Sequence, residues 1–403
     1  MEKLLVRRTR RDLSIKTVCL KISLVFFFLS VIANNVFGEN VNYYIISKAC
    51  IFAFMAIALV SLLVGARFFA SVPLVFILLN FYWILITTIW APSRANGMQM
   101  LSTMAQTFIM AILIYEIMAN TREFELYFKA LYYSGIVLLV YSLYMYGFDG
   151  MIEQMREGVR IGGEIANQNT FGLVFSYACV CGVYFTVFKR RPLYLVGCAA
   201  FVFFALSSGS KKSVFTIVLG ILLVLLFKYG IKRMYKVIIV GGVLVVGLYF
   251  LLSLPIFGVM SDRLFSFLSG EKNESDIIRS SMIRDGIRFF LEKPVFGYGS
   301  DAFRTISVYG TYSHNNFVEL LVDYGAVGFL LYYAMFVYLA IKFFAGKGRE
   351  KPSNIMMAIL LITRLVMDYG MVSFSSKGTW MLLAVAFAMA LNENRLKRGL
   401  KYD

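Results

Sequence analysis

Apolar blocks long enough to cross a lipid bilayer recur along the whole chain. A transmembrane helix needs roughly 20 consecutive apolar residues, and about 12 blocks come near that length. They lie at about 19–38, 43–64, 72–91, 100–119, 126–147, 169–188, 193–208, 213–228, 237–257, 326–345, 354–374 and 378–392. Only 16% of the 403 residues are charged, against about 25% in soluble domains. The pattern predicts an all-α polytopic membrane protein.

Basic residues mark alternate short loops and so predict a topology. Cytoplasmic loops are enriched in Lys and Arg, which favours both termini in the cytoplasm. The inside segments then carry Arg67, Arg122, 189–191, 228–236, 347–351 and the tail 395–401. Topology thus accounts for the net charge of +17, and we expect no nucleic-acid partner. The basic N-terminus "MEKLLVRRTRRDLSIK" shows no cleavage site and is interpreted as a retained cytoplasmic end.

One long outside segment divides the chain into three parts. Residues 1–257 form an N-terminal transmembrane bundle of about nine helices, by the same hydropathy criterion. Residues 258–325 form the long extracytoplasmic loop, and residues 326–403 form the last helices and a basic tail. Long loops are exempt from the charge rule. The arginines of this loop therefore need another explanation.

The long loop contains an amphipathic helix, "SDIIRSSMIRDGIRFFLEKP", which we expect Asp276 to cap and Pro294 to end. Arg284 and Arg288 lie on its polar face and read as solvated residues, although we also keep them as substrate-binding candidates. Arg279 falls within the apolar arc, where a cation needs an anionic partner. That partner is either a protein carboxylate or a ligand phosphate. The arc comprises Ile278, Met282, Ile283, Ile287, Phe289 and Phe290.

His314, the only histidine, lies between the loop and the next apolar block. A lone histidine there is either a hydrogen-bonded interfacial residue or a general base for a hydroxyl. The residues leave both interpretations open. No histidine cluster and no Asp-x-Asp pair is present to hold a catalytic ion. We therefore expect no metal and no cofactor.

Two further outside segments carry polar residues. Arg160 precedes a glycine pair, and Asn167 and Asn169 lie at the start of the sixth block, where they either cap the helix or line a sugar pocket. Lys211 and Lys212 lie in the tight turn "SSGSKKS", against the topology rule, which favours a role in binding an anion.

A few charges fall inside the apolar blocks themselves. Arg364 and Asp368 are spaced to pair with each other on one helix. Lys48 and Glu116 are expected to face the interior of the bundle.

In this order, the segments "GGEIANQNTFG", "LSSGSKKSVF", an R…P-x-F-G-x-G stretch and "SHNNFVELLVDYGAVGFLLYY" resemble the O-antigen ligase / Wzy polymerase superfamily of membrane glycosyltransferases. The last segment, with His-Asn before an apolar helix and Gly-x-x-Gly, is the most specific. The resemblance covers roughly residues 150–345. Two features depart from the family: Lys211 and Lys212 stand where an arginine is usual, and Met282 or Ile283 replaces an aromatic residue.

The resemblance implies a GT-C-like fold and a metal-independent transfer of glycan from an undecaprenyl-diphosphate donor to an acceptor hydroxyl. It implies that Arg160 and Arg279 clamp the diphosphate and that His314 positions or deprotonates the acceptor. Lys211, Lys212, Asn167, Asn169 and Asn315 join them as substrate-binding candidates. It further implies a bacterial cytoplasmic (inner) membrane location, an extracytoplasmic active site and a chain-length regulator as partner.

Several functions compete. The polymerase interpretation, in which the acceptor is another lipid-linked repeat unit of a surface polysaccharide, stands beside a ligase that transfers glycan to a different acceptor. A lipid-linked oligosaccharide flippase or transporter should carry charges along its spans, whereas this chain concentrates cations in its outside loops. A non-catalytic membrane scaffold gives no reason for Arg279 on an apolar arc. The enzyme interpretations are therefore favoured.

Overall fold

The protein is all-α, as the apolar blocks predict. The structure is a computed structural model that describes residues 15–270, 274–344 and 350–397, and these form sixteen α-helices and no strand. The helices are α1 (Ile15–Phe37), α2 (Tyr44–Leu63), α3 (Val72–Thr87), α4 (Arg94–Thr121), α5 (Glu125–Tyr146), α6 (Phe148–Arg156), α7 (Gln168–Lys189), α8 (Tyr194–Ser207), α9 (Lys211–Tyr229), α10 (Met234–Leu252), α11 (Gly258–Leu268), α12 (Glu274–Glu292), α13 (Ala302–Ile306), α14 (Asn316–Phe344), α15 (Pro352–Met367) and α16 (Lys377–Lys397). The basic N-terminal segment, Lys347, Arg349 and the end of the basic tail lie outside the described residues.

The membrane spans follow the apolar blocks. Among the described residues, nine helices are long and apolar enough to cross a membrane: α1–α5, α7, α9, α10 and α14. Three shorter apolar helices, α8, α15 and α16, account for the remaining blocks. The chain is therefore a polytopic membrane protein, and each predicted block coincides with one helix.

The bundle has a packed centre and a lipid-facing exterior. Helix α7 packs against α5, α8 and α9 and is buried along most of its length. At the periphery, α10 buries only Val237 and Leu252 fully, and many of its other apolar side chains are exposed. Apolar residues on the outside of a soluble protein would be unfavourable, but lipid tails are as apolar as they are.

Hydrogen bonds join the loops at one end of the bundle, which we call the site end. Asn40 Nδ2 donates to the Ile165 carbonyl at 2.8 Å, and Arg160 Nε donates to the Ser208 carbonyl at 2.8 Å. At the opposite end, Asn120 Nδ2 donates to the Arg67 carbonyl at 2.8 Å. The loops assigned by charge to the inside and to the outside therefore lie at opposite ends of the molecule.

A clamp of two glycine segments fixes the long loop to the bundle. Gly325 has φ 65 and ψ −172 and kinks α14, so a short helical part from Asn316 precedes the kink and the part after it starts at 326, as predicted. The amide of Gly299 donates to the Asp323 carbonyl at 2.8 Å, and the amide of Ala326 donates to the Pro294 carbonyl at 2.8 Å. A Cβ at Gly297 would lie 2.6 Å from the Asp323 oxygen, so only glycine permits this approach.

The amphipathic helix of the loop is α12, but two details differ from expectation. It begins at Glu274, so Asp276 lies within the first turn and forms an ion pair with Lys211 at 2.9 Å instead of capping the helix. Its buried side carries Met282 and Gly286, packed against α14, whereas Ile278 and Ile287 are exposed. The contact is narrower than the predicted arc, because Gly286 brings the two helices close together.

Candidate active site

A cleft of about 550 Å³ opens at the site end beside α12. Its walls come from α9, α11 and α12, from the loop before α14 and from the loop after α15. Cationic and imidazole side chains meet apolar ones there. The lining includes Lys211, Lys212, Phe215, Phe267, Arg279 and His314.

The loop that carries His314 is held by hydrogen bonds on both sides of the histidine. The amide of Ser313 donates to Glu319 Oε2 at 2.6 Å. Asn315 accepts from the Val318 amide at 3.0 Å, which caps α14, and its Nδ2 donates to the Tyr369 carbonyl at 3.0 Å. His314 itself adopts φ 56, in the left-handed region that a non-glycine residue rarely occupies. The imidazole is thereby directed into the cleft by a backbone that its neighbours fix.

The imidazole is in a state suited to accept a proton. Burial, and then the charges of Arg279 and Lys212, lower the pKa of His314 to about 4. Both effects disfavour the imidazolium, since a buried cation loses hydration and the nearby cations repel it. The ring of Tyr312 packs against it with centroids 4.4 Å apart. His314 is therefore neutral near pH 7.

Lys211, Lys212 and Arg279 line the cleft, and Arg160 and Arg263 lie near enough to interact electrostatically with Arg279. Arg160 packs along Gly209, and besides its bond to Ser208 it donates from Nη2 to Asn169 Oδ1 at 3.3 Å. Lys212 donates to the Gly370 carbonyl. Burial, and then repulsion from Arg263 and Arg279, lower the pKa of Arg160 to about 10. The cations thus repel one another at this end, and a bound anion would relieve that repulsion.

Arg263, on α11, is a member of this group that the sequence analysis did not single out. Its Nε is buried without a hydrogen-bond partner, and burial lowers the pKa of its guanidinium. In the sequence it was one of several loop charges. In the sequence, Arg263 can be recognised by its position directly before the apolar run "LFSFL". Packing of this run against the bundle places the guanidinium close to the protein.

Lys211 and Arg279 both line the cleft, but they differ in their ionic partners. Lys211 is neutralised by Asp276 and lies 5.2 Å from the centroid of the Phe267 ring. No carboxylate of the described residues lies within ion-pair distance of Arg279, although this side chain is half-buried. Of the two partners considered for Arg279, a ligand anion is therefore favoured over a protein carboxylate.

Other predicted site residues lie apart from the cleft or serve the fold. Arg284 and Arg288 are exposed, with Arg288 3.8 Å from Asp285, and neither lines the cleft. Asn167 caps α7 by accepting from the Asn169 amide at 2.9 Å. Asn315 caps α14, as described above. The described residues include no group of three or more His, Cys, Asp or Glu that could hold a metal ion.

The expected ion pair within the apolar blocks does not form. Arg364 Nη1 instead contacts Met371 Sδ at 3.6 Å, and Asp368 accepts from the hydroxyl of Tyr333 at 3.0 Å. Glu116 is buried, as expected, and accepts from the Phe69 amide at 2.9 Å. Lys48, in contrast, is exposed at the end of α2. Asp368 accepts hydrogen bonds from hydroxyl and amide donors and attracts Arg364 electrostatically without an ion pair at contact distance.

A comparison with known proteins finds a family similarity between residues 193 and 333. No curated protein matches the chain. Residues 193–333, from α8 to the middle of α14, match a family model described as O-antigen ligase. The match includes Lys212, Arg263, Arg279 and His314 but not Arg160, so it is narrower than the resemblance drawn from the sequence. It supports the similarity of this region of the membrane protein to the O-antigen ligase and Wzy-type superfamily.

Proposed function

We propose that the protein is a glycosyltransferase that moves a glycan from a polyprenyl diphosphate to an acceptor hydroxyl, and that it works as a polysaccharide polymerase. The observation that carries this proposal is the cleft itself. It combines a neutral imidazole, two cations (Lys212 and Arg279) that form no ion pair among the described residues, and exposed apolar side chains in one place. These three features match the acceptor hydroxyl, the diphosphate and the lipid of such a reaction.

The imidazole and the cations divide the chemistry between them. As the acceptor oxygen bonds to the anomeric carbon, its proton passes to His314 and the bond from that carbon to the diphosphate oxygen breaks. The diphosphate departs with the bonding electrons. Arg160, Arg263 and Arg279, with Lys212, stabilise its charge in a partly buried site. Arginine suits this task because it stays protonated and binds phosphate oxygens in pairs.

The apolar part of the cleft accounts for the lipid. Phe215 is 43% exposed, Phe267 50% and Val366 48%, and all three line the cleft. Exposed apolar side chains that continue from a charged site toward the membrane-spanning helices give a polyprenyl chain a surface to follow. A water-soluble nucleotide sugar would have no use for such a surface.

The topology predicted from loop charges places the site end on the extracytoplasmic face of a bacterial inner membrane. This agrees with the energetics of the reaction as proposed. The donor is activated by its own diphosphate, so the chemistry needs neither nucleotide nor metal supplied from the cytoplasm.

The first experiment expresses wild type and His314→Ala in a strain lacking the gene and separates the surface glycan by gel electrophoresis. We expect His314→Ala to remain in the membrane and to lower glycan transfer by about 10²- to 10⁴-fold, the usual contribution of a general base. Long chains at the wild-type level in this variant would rule out the base role.

The same deletion strain separates polymerase from ligase. Loss of long chains while a single repeat unit still reaches the cell surface identifies a polymerase. Accumulation of long chains on the lipid carrier, detected by mass spectrometry of extracted lipids, would instead identify a ligase and overturn the polymerase assignment.

A further inference from the structure

A second cavity, of about 310 Å³, lies at the site end and shares no lining residue with the cleft. Helices α1, α2, α7, α15 and α16 form its walls. Its volume is within the range of about 300–1,000 Å³ typical of small-molecule sites. The proposed reaction gives it no role. Its lining includes Asn34, Glu39, Lys48, Tyr177, Arg364 and Lys377.

Arg364 forms no ion pair among the described residues, although Asp368 attracts it from beyond ion-pair distance. Its Nε is buried without a hydrogen-bond partner, and its other contacts are the sulfur of Met371 and the ring of Tyr177 at 5.8 Å. The nearest acid in sequence, Asp368, is occupied by Tyr333 and Asn316. A cation in low dielectric is unfavourable unless an anion pairs with it. Because Arg364 lines the cavity, that anion can come from a ligand.

Two lysines extend the same positive surface. Lys48 and Lys377 both line the cavity and repel each other, and neither forms an ion pair among the described residues. Glu39 is the acidic residue of the lining, and its carboxylate accepts from Thr170 Oγ1 at 3.0 Å. The three cations therefore outnumber the acid, and the cavity favours an anion.

The neutral part of the lining suits a sugar. The amide of Asn34 and the hydroxyls of Ser47, Thr170 and Ser376 offer both donors and acceptors, while Tyr44 and Tyr177 add flat apolar faces with polar tips. A lipid chain would not need this number of hydrogen-bonding groups. An acidic sugar would use them together with the cations.

The two cavities are neighbours. Tyr369 and Gly370 line the cleft, and the next residue, Met371, lines the second cavity. Tyr312, whose ring packs at a tilt against His314, interacts electrostatically with Glu39 of the second cavity and with Arg279 of the cleft. A glycan seated in the second cavity can therefore extend past Tyr312 toward the imidazole.

We infer that the second cavity binds the acceptor glycan through an acidic sugar, whose carboxylate pairs with Arg364, Lys48 and Lys377. This inference rests on the proposed function, since it assigns the acceptor of that reaction to a separate site. It makes the protein selective for glycans that carry a uronic acid or a similar carboxylate. It also separates recognition of the donor diphosphate from recognition of the acceptor.

The test measures binding without any reaction. The full chain in phosphatidylcholine nanodiscs is titrated with a hyaluronan tetrasaccharide and with its carboxyl-reduced, neutral counterpart. We expect the acidic sugar to bind at least about 5-fold more tightly, from the attraction of partly exposed cations.

Lys48→Met combined with Lys377→Met should abolish this preference, as should the milder pair Lys48→Gln and Lys377→Gln. Lys293→Met, which alters an exposed lysine at the same end, should keep it.

Three results would overturn the inference. One is equal affinity for the two sugars. Another is a preference that survives both lysine pairs and disappears in Arg279→Met, which would place the acidic sugar in the cleft. The third is loss of the preference when phosphatidylglycerol replaces phosphatidylcholine. This result would show that the cations bind an anionic lipid headgroup. Failure of the proposed transfer reaction would appear in the glycan gel and not in this titration.

Discussion

At the residue scale, the chemistry of His314 depends on the charges around it. It is distinguished in the sequence because it is the only histidine and has polar neighbours. Its low pKa depends on Arg279 and Lys212, which lie far away in the chain. Arg263 escaped notice for the same reason, because its burial is decided by how α11 packs. Single residues reveal candidates, and only the fold reveals which charges they meet.

The pH dependence of transfer should report the charges around His314. A base must be deprotonated, so in the free protein activity persists down to a pH near 4 and is lost below it. Bound diphosphate neutralises Arg279 and Lys212 and should raise the pKa of the imidazole toward its ordinary value of about 6.5. In assays of purified protein, kcat should therefore begin to fall at a higher pH than kcat/KM. Coincident profiles would show that the anion does not bind beside His314.

Arg279 can be compared with a residue of the same type on the opposite face of α12. Arg279→Met should lower kcat/KM by about 10- to 100-fold, the usual worth of a hydrogen bond to a charged group. Arg279→Lys should recover only part of this, because lysine cannot bind two phosphate oxygens at once. Arg284→Met, which alters the exposed face, should stay near the wild-type rate. Equal losses in Arg279→Met and Arg284→Met would show a general effect on the helix.

At the scale of elements, the apolar blocks predicted the membrane helices well because a bilayer imposes length and composition on each helix separately. The clamp between Gly297 and Gly325 was not predictable. It forms where two separate segments of the chain contact each other, and hydropathy does not report contacts between segments. The start of α12 was misplaced for a similar reason, since Asp276 pairs with Lys211 of another helix.

The clamp should be sensitive to a single methyl group. Gly297→Ala places a Cβ against the Asp323 carbonyl at φ +70, a conformation that costs about 1–3 kcal/mol for a non-glycine residue. We expect a lower thermal unfolding temperature in detergent and loss of transfer, because the loop that carries His314 loses its anchor. Gly242→Ala, at a helical position on α10 with open space around it, serves as the control. An unchanged melting curve for Gly297→Ala would show that the segments can separate freely.

At the scale of the whole molecule, loop charges predict which end of the bundle faces the cytoplasm. Helix packing alone does not predict this orientation. The structure separates the two sets of loops to opposite ends, which the sequence predicted. The side of the membrane on which each end lies depends on the cell, and a charge bias is the only trace of it in the chain.

Orientation can be measured with a membrane-impermeant maleimide on intact cells. Glu164→Cys lies in an exposed loop at the site end, and Arg191→Cys lies in an exposed turn at the opposite end. We expect labelling of the first and protection of the second until the membrane is permeabilised. The wild-type chain, with five native cysteines, provides the background. The reverse pattern would place the cleft in the cytoplasm and contradict the extracytoplasmic site.

The left-handed backbone of His314 also bears on how this position can change over generations. A non-glycine residue in that region is disfavoured by about 1–2 kcal/mol relative to glycine, so stability alone would favour glycine at 314. Selection for an unusually heat-stable protein and selection for glycan synthesis should therefore pull this position in opposite directions. A mutant library screened in both ways would drift to glycine at 314 in one population and retain histidine in the other.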